Sequence, residues 1–200
     1  MHKFIYLASQ SPRRRQLLEQ LGVAYEMLLP DEQEDVEALE VLLPRELPLN
    51  YVRRVTQLKL DAALVRRKSR SLIAAPVLCS DTTVALGRMI LGKPQDADDA
   101  SRLLQDLSGR THTVLTAIAI GTARKRLATV SRSRVTFAPM TAAQIRAYVS
   151  SGDGMGKAGG YGVQGKAAAH ISSISGSYSG IMGLPLFETA QLLTSFGFQV

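Results

Sequence analysis

The residues best suited to chemistry are three consecutive arginines, Arg13, Arg14 and Arg15, which follow an apolar run and a polar turn. Residues 4–8 read as a buried strand. Ser11 stands where an N-cap is wanted, and Pro12 occupies the first helical position, where its missing N–H costs nothing. The helix is expected to run to about Leu21 and stop at Gly22. A strand feeding a helix N-terminus favours an anion, because free amides and the helix dipole point at it. Cations there oppose the same dipole, and a polyphosphate between them would resolve the conflict. The alternative is a basic surface turn with an ordinary cap. On a helical wheel Arg14 shares the apolar face of Leu17, Leu18 and Leu21, whereas Arg15 and Glu19 fall on the solvated side.

Further candidates follow along the chain. Residues 50–68 read as a helix whose Val52, Val55, Ala62 and Ala63 share a face, with Lys59 in its middle. Such a lysine either snorkels outward or reaches a site at the edge of the core. Residues 72–79 read as a strand ending in Ser80-Asp81-Thr82-Thr83, and ligands of open α/β sheets gather at carboxyl ends of strands. A small hairpin over residues 84–91 then returns Lys93 toward Asp81. Residues 152–165 hold seven of the chain's 16 glycines. That density lets backbone approach a ligand closely, and the embedded Lys157, Tyr161 and Gln164 favour a site over a merely flexible loop. The acidic stretch 31–48, with Asp31, Glu32, Glu34, Asp35, Glu37 and Glu40, reads as a loop with a short helical turn and a solvated acidic face.

The remaining elements are scaffolding. Asp96 caps a helix with Leu103, Leu104 and Leu107 inward. Residues 111–122 and 127–137 pair as long strands. Thr141 caps a helix to about Ser151, and a last helix starts at Pro185. The basic run 66–70 reads as a solvated helix end.

Composition narrows the function. The chain has 200 residues, is 46% apolar and carries a net charge of +7, with a pI of about 9.8. This suits one globular domain over residues 1–200. The basic residues lie in several segments without interleaved aromatics, so a small anion is expected as partner and not a nucleic acid. There is no long apolar run for a membrane span. The first residues lack the layout of a secretory leader and Cys79 is the only cysteine, so a cytoplasmic setting is expected. His2, His112 and His170 have no ligand spacing and read as structural.

Taken together, LASQSPRR at 7–14, SDTTV at 80–84, GKP at 92–94, LSGRTHTVLTA at 107–117, KAGGYGVQG at 157–165 and GLPLFET at 183–189 resemble the Maf family of nucleoside triphosphate pyrophosphatases, in its dTTP/UTP branch. The branch associated with methylated GTP usually has a tryptophan where this chain has Arg13. The resemblance implies an α/β fold with a mixed central sheet flanked by helices and a cleft between two lobes, as in inosine triphosphate pyrophosphatases. It implies that Ser9, Arg13 and Arg14 hold the triphosphate with Lys59 and Lys93. Asp81 matches the family's proton acceptor, so Asp81 and Lys93 form the expected catalytic pair. Glu34 falls near an acidic position that would bind Mg²⁺ or Mn²⁺ with Asp81. Arg13, Thr82 and Gln164 match positions linked to base choice, and a homodimer is implied. Gly156 departs from the acidic residue that often precedes KAG. A nucleotide-binding regulator of septum formation with little turnover is the alternative.

Overall fold

A computed structural model describes residues 3–32 and 34–200; His2 lies outside them. The apolar residues of the first segment form strand β1 (Ile5–Leu7), every one of them buried. Strand β1 lies between two parallel neighbours, β2 (Tyr25–Met27) and β3 (Val77–Leu86). Beyond β3 the sheet is antiparallel, through β5 (Thr111–Gly121), β6 (Arg126–Phe137) and β7 (Ile171–Ser175). The short β4 (Met89–Leu91) pairs with the end of β3, giving a seven-stranded mixed sheet in the order β2-β1-β3-β5-β6-β7.

Strand β3 is longer than the sequence reading placed it. It does not stop at Cys79 but runs through Ser80, Asp81, Thr82 and Thr83, whose partners on β5 are Ile118, Ala117, Thr116 and Leu115. Asp81 therefore sits in mid-strand. Threonine suits a pleated, half-buried surface, and the long facing strand β5 leaves no reason for the ladder to break. Residues 72–76 lie before the strand, following Ser71 at positive φ (+50°).

The helices follow their sequence signals closely. Helix α1 (Pro12–Glu19) starts at Pro12, and Gly22 takes the left-handed conformation (φ +66°) just beyond its end. Helix α2 (Pro48–Ser69) begins two residues before Asn50, at another proline. Asp96 caps α3 (Ala97–Leu107) by accepting from the Asp99 N–H at 2.8 Å. Thr141 and Gln144 form a capping box on α4 (Ala142–Ser150). A short helix α5 (Tyr178–Met182), unmarked in the sequence, precedes α6 (Leu186–Ser195). No described helix is long and apolar enough to cross a membrane.

Two lobes share strand β3. Its first half packs in one: Leu78 lies with Ile5, Leu18, Ile118 and Leu193, and Cys79 with Leu60 and Ala63 of α2 on the opposite face. Val84, near its end, belongs to the other lobe, with Leu104, Leu107, Phe137, Ile145 and Tyr161. The polar residues 80–83 fall between the two cores. This is why a cleft opens there.

Candidate active site

A cleft of about 450 Å³ lies between the lobes, lined by the start of α1, by α2, the middle of β3, β4 and the glycine-rich segment. Arg14 enters it half-buried from the first turn of α1. Its Nε donates to the Gly183 carbonyl at 2.9 Å, and its two terminal nitrogens reach Ser9 Oγ and Thr82 Oγ1, each at 3.4 Å. Burial lowers its pKa, while Asp81 and Glu40 act in the opposite sense. Thr82 Oγ1 also lies 3.1 Å from Thr116 Oγ1, which donates to the Gly180 carbonyl at 2.7 Å. Ser80 Oγ is 2.9 Å from the same Gly183 carbonyl. The α5 turn is thus what fixes the arginine. Nothing in GSYSGIMGLP marked this, because the contact uses backbone carbonyls.

The opposite wall carries a chain of alternating charges. Lys59 Nζ, from the middle of α2, donates to Asp81 Oδ1 at 2.6 Å and to Glu40 Oε1 at 2.7 Å. Lys93 Nζ donates to Glu40 Oε2 at 3.2 Å. The Asp81 side chain is only 10% exposed and that of Lys59 18%. At such burial an unpaired charge would be costly, which is why the four groups alternate in sign. Burial works against the Glu40 carboxylate, yet Lys59 and then Lys93 hold its pKa below the ordinary value. Asp81 Oδ2 has no hydrogen-bond partner among the described residues.

Sequence reasoning placed most of these groups together. Ser9, Arg13, Arg14, Lys59, Asp81, Thr82, Lys93 and Gln164 all line the cleft. Glu34 does not. Its carboxylate is taken by Arg66, with Nη2–Oε2 at 2.6 Å and Nε–Oε1 at 2.7 Å, while Arg66 Nη1 donates to the Leu28 carbonyl. The hydrogen bonds from Arg66 hold the pKa of Glu34 down despite the opposing effect of burial. Arg66 in turn corrects the reading of 66–70 as a solvated end, because its side chain is only 4% exposed. The acid that faces Asp81 is Glu40, from the short 3-10 turn Glu37–Glu40. Its spacing carried no signal; only the fold of the loop brings it to Lys59.

The glycine-rich segment closes the third side. Gly159 adopts φ +70°, and a Cβ there would lie 2.8 Å from Val84 Cγ1. The segment therefore packs directly on β3. Asp153 anchors it, accepting from Lys157 Nζ at 2.9 Å and from the Lys166 N–H at 3.1 Å. Lys157 is thereby turned to its own loop.

The fold is that of an α/β protein of the HAM1 kind. It resembles the HAM1 protein from Coxiella burnetii with a TM-score of 0.52 at 15% identity, over 97% of this chain and 100% of that one. Residues 4–196 match the family of Maf-like proteins, and the chain belongs to that family. It is 68% identical over 200 residues, the whole of both chains, to the dTTP/UTP pyrophosphatase of Albidiferax ferrireducens. It is 64% identical to the protein of the same name from Polaromonas sp., over 98% of each.

Proposed function

We propose that the protein hydrolyses dTTP and UTP between the α- and β-phosphates, releasing the nucleoside monophosphate and pyrophosphate. The observation that carries this is the charge alternation Asp81–Lys59–Glu40–Lys93 across the cleft from Arg14. It sets a buried carboxylate where an attacking water would lie between cations suited to phosphate. The names of the two relatives, alike over nearly their whole length, support the same reaction.

In this reading Arg13, Arg14 and Lys93 bind the triphosphate, with Ser9 and the first amides of α1 beside them. Water attacks the α-phosphorus and its proton passes to Asp81 Oδ2. The bond to the bridging oxygen breaks, and pyrophosphate leaves with the electron pair toward Arg14 and Lys93. The donor set suits a divalent metal: the carboxylates of Asp81 and Glu40 flank Lys59 Nζ, at 2.6 and 2.7 Å from it, and Mg²⁺ is usually held by one or two carboxylates plus substrate phosphates. Such an ion would neutralise phosphate charge and lower the pKa of a bound water. The described residues contain no cluster of three or more ligands that would hold a metal alone. Arg13 and Gln164 face the cleft for base choice. Thr82 spends its hydroxyl on Arg14 and Thr116, so its effect on the base runs through Arg14.

Product analysis with dTTP, UTP, CTP and GTP, with and without Mg²⁺ or Mn²⁺, tests the proposal. Metal-dependent dTMP or UMP with pyrophosphate is expected. Diphosphate with orthophosphate would place the broken bond elsewhere, and saturable binding without turnover would leave a nucleotide-binding regulator.

A further inference from the structure

The loop that carries Glu40 is stapled to the first two turns of α2. The Glu40 carbonyl accepts the Tyr51 hydroxyl at 2.9 Å. The next carbonyl, of Val41, accepts Arg54 Nη2 at 2.8 Å. Arg54 is itself held in two-pronged fashion by Glu46, Nε to Oε1 and Nη2 to Oε2, both at 2.7 Å. Glu46 Oε2 also accepts the Leu43 N–H at 3.3 Å. The Glu46 side chain is only 8% exposed, and the Arg54 guanidinium stacks 5.6 Å from the Tyr51 ring centroid. Around these contacts the loop has little else to hold it, since Val41, Leu42 and Leu43 point their side chains into solvent. Two turns further along the same helix, Lys59 receives the Glu40 carboxylate.

We propose that Arg54 and Tyr51 are positioning residues for Glu40. The inference rests on the hydrolytic reading above. One helix holds both the backbone of Glu40 and, through Lys59, its side chain. The carboxylate is thereby fixed opposite Asp81 although it arises from an exposed loop. A guanidinium is needed because one planar fork must satisfy both Glu46 oxygens and a carbonyl, which an ammonium does not match. Partners that orient a metal-binding carboxylate typically cost about 10–100-fold in metal affinity or activity when removed.

The experiment compares wild type, Arg54→Ala, Arg54→Lys, Tyr51→Phe, Glu40→Gln and the double variant Arg54→Ala/Glu40→Gln. It measures kcat and KM for dTTP across a Mn²⁺ titration, and amide hydrogen exchange over residues 37–46. Arg54→Ala is expected to lower kcat/KM by about 10-fold or more and to raise the Mn²⁺ concentration at half activity. Arg54→Lys should recover part of this. Exchange should quicken over 37–46 while β3 and β5 stay protected. In the Glu40→Gln background the arginine change should add almost nothing, because its effect runs through Glu40. A full, multiplicative loss in the double variant, or unaltered exchange over 37–46, overturns the proposal. Should Arg54→Ala not fold, Tyr51→Phe, which removes one hydroxyl and no volume, takes its place in the same comparisons. If wild type hydrolyses no nucleotide, the enzymatic reading falls, and the clamp stands or falls on exchange alone.

Discussion

Asp81 offers its two carboxylate oxygens to different tasks. Oδ1 is engaged by Lys59 at 2.6 Å, and Oδ2 is left for a proton. Replacing it with asparagine keeps the shape and removes the basicity. Asp81→Asn is therefore expected to lower turnover of dTTP by at least about 100-fold, the lower range for general base catalysis, with an unaltered circular dichroism spectrum. A folded variant with near-normal turnover would remove Asp81 from the mechanism. Arg13 and Arg14 are neighbours with different duties. Arg14 is committed to Gly183, Ser9 and Thr82, whereas Arg13 lines the cleft without such a hydrogen bond to any of the described residues. Arg13→Ala should therefore change the ranking of dTTP, UTP, CTP and GTP by kcat/KM. An equal loss for all four would make it a phosphate anchor only.

At the scale of elements, α2 and β3 hold the active wall. Helix α2 delivers Lys59 from its middle, ties Glu40 at its start and, near its end, clamps Glu34 through Arg66. The last of these is a stability device with a pH signature. The folded-state pKa of Glu34 lies below its ordinary value, mainly because Arg66 hydrogen-bonds the charged form. Such a group stabilises the fold fully above its unfolded pKa of about 4.3, and the contribution is lost as pH falls through the folded value. Glu34→Gln should thus be less stable than wild type to urea at pH 7, and the gap should close as pH drops below about 4. A gap that persists at low pH would mean that packing, not charge, is what Arg66 gains from Glu34.

At the scale of the whole molecule, β3 and β5 run through both cores, with Val84 and Val114 in one and Leu78 and Ile118 in the other, and a polyanion held by α1 on one side and Lys93 on the other would join the two lobes. Ligand that binds the folded state alone stabilises it by mass action: about 2.7 kcal/mol at 100 times Kd. For a chain of this size each kcal/mol moves Tm by about 2–4 °C, so a rise of roughly 5–11 °C is expected. Scanning calorimetry of Asp81→Asn with dTTP and Mg²⁺ reads this without turnover. An unmoved Tm at saturating dTTP would argue against a triphosphate site in the cleft.

Local chemistry was legible in the residues themselves. The start of α1 at Pro12, where Ser11 holds the N-cap position without a side-chain capping bond, the Asp96 cap, the Thr141–Gln144 box and Gly22 all act within one turn of chain, so their geometry follows from neighbours. For the same reason the groups that line the cleft, Arg14, Lys59, Asp81 and Lys93 among them, were readable from strand, turn and helix signals together with the family resemblance. What tertiary structure alone decided was which acid meets them. Glu40 and Glu34 lie in one acidic loop of indistinguishable composition. Each pairs with a base far along the chain, Glu40 with Lys59 and Glu34 with Arg66. Those choices depend on how the loop closes over α2. Burial then leads Lys59 and Arg66 to partners of opposite sign, a constraint that spacing along the chain does not record.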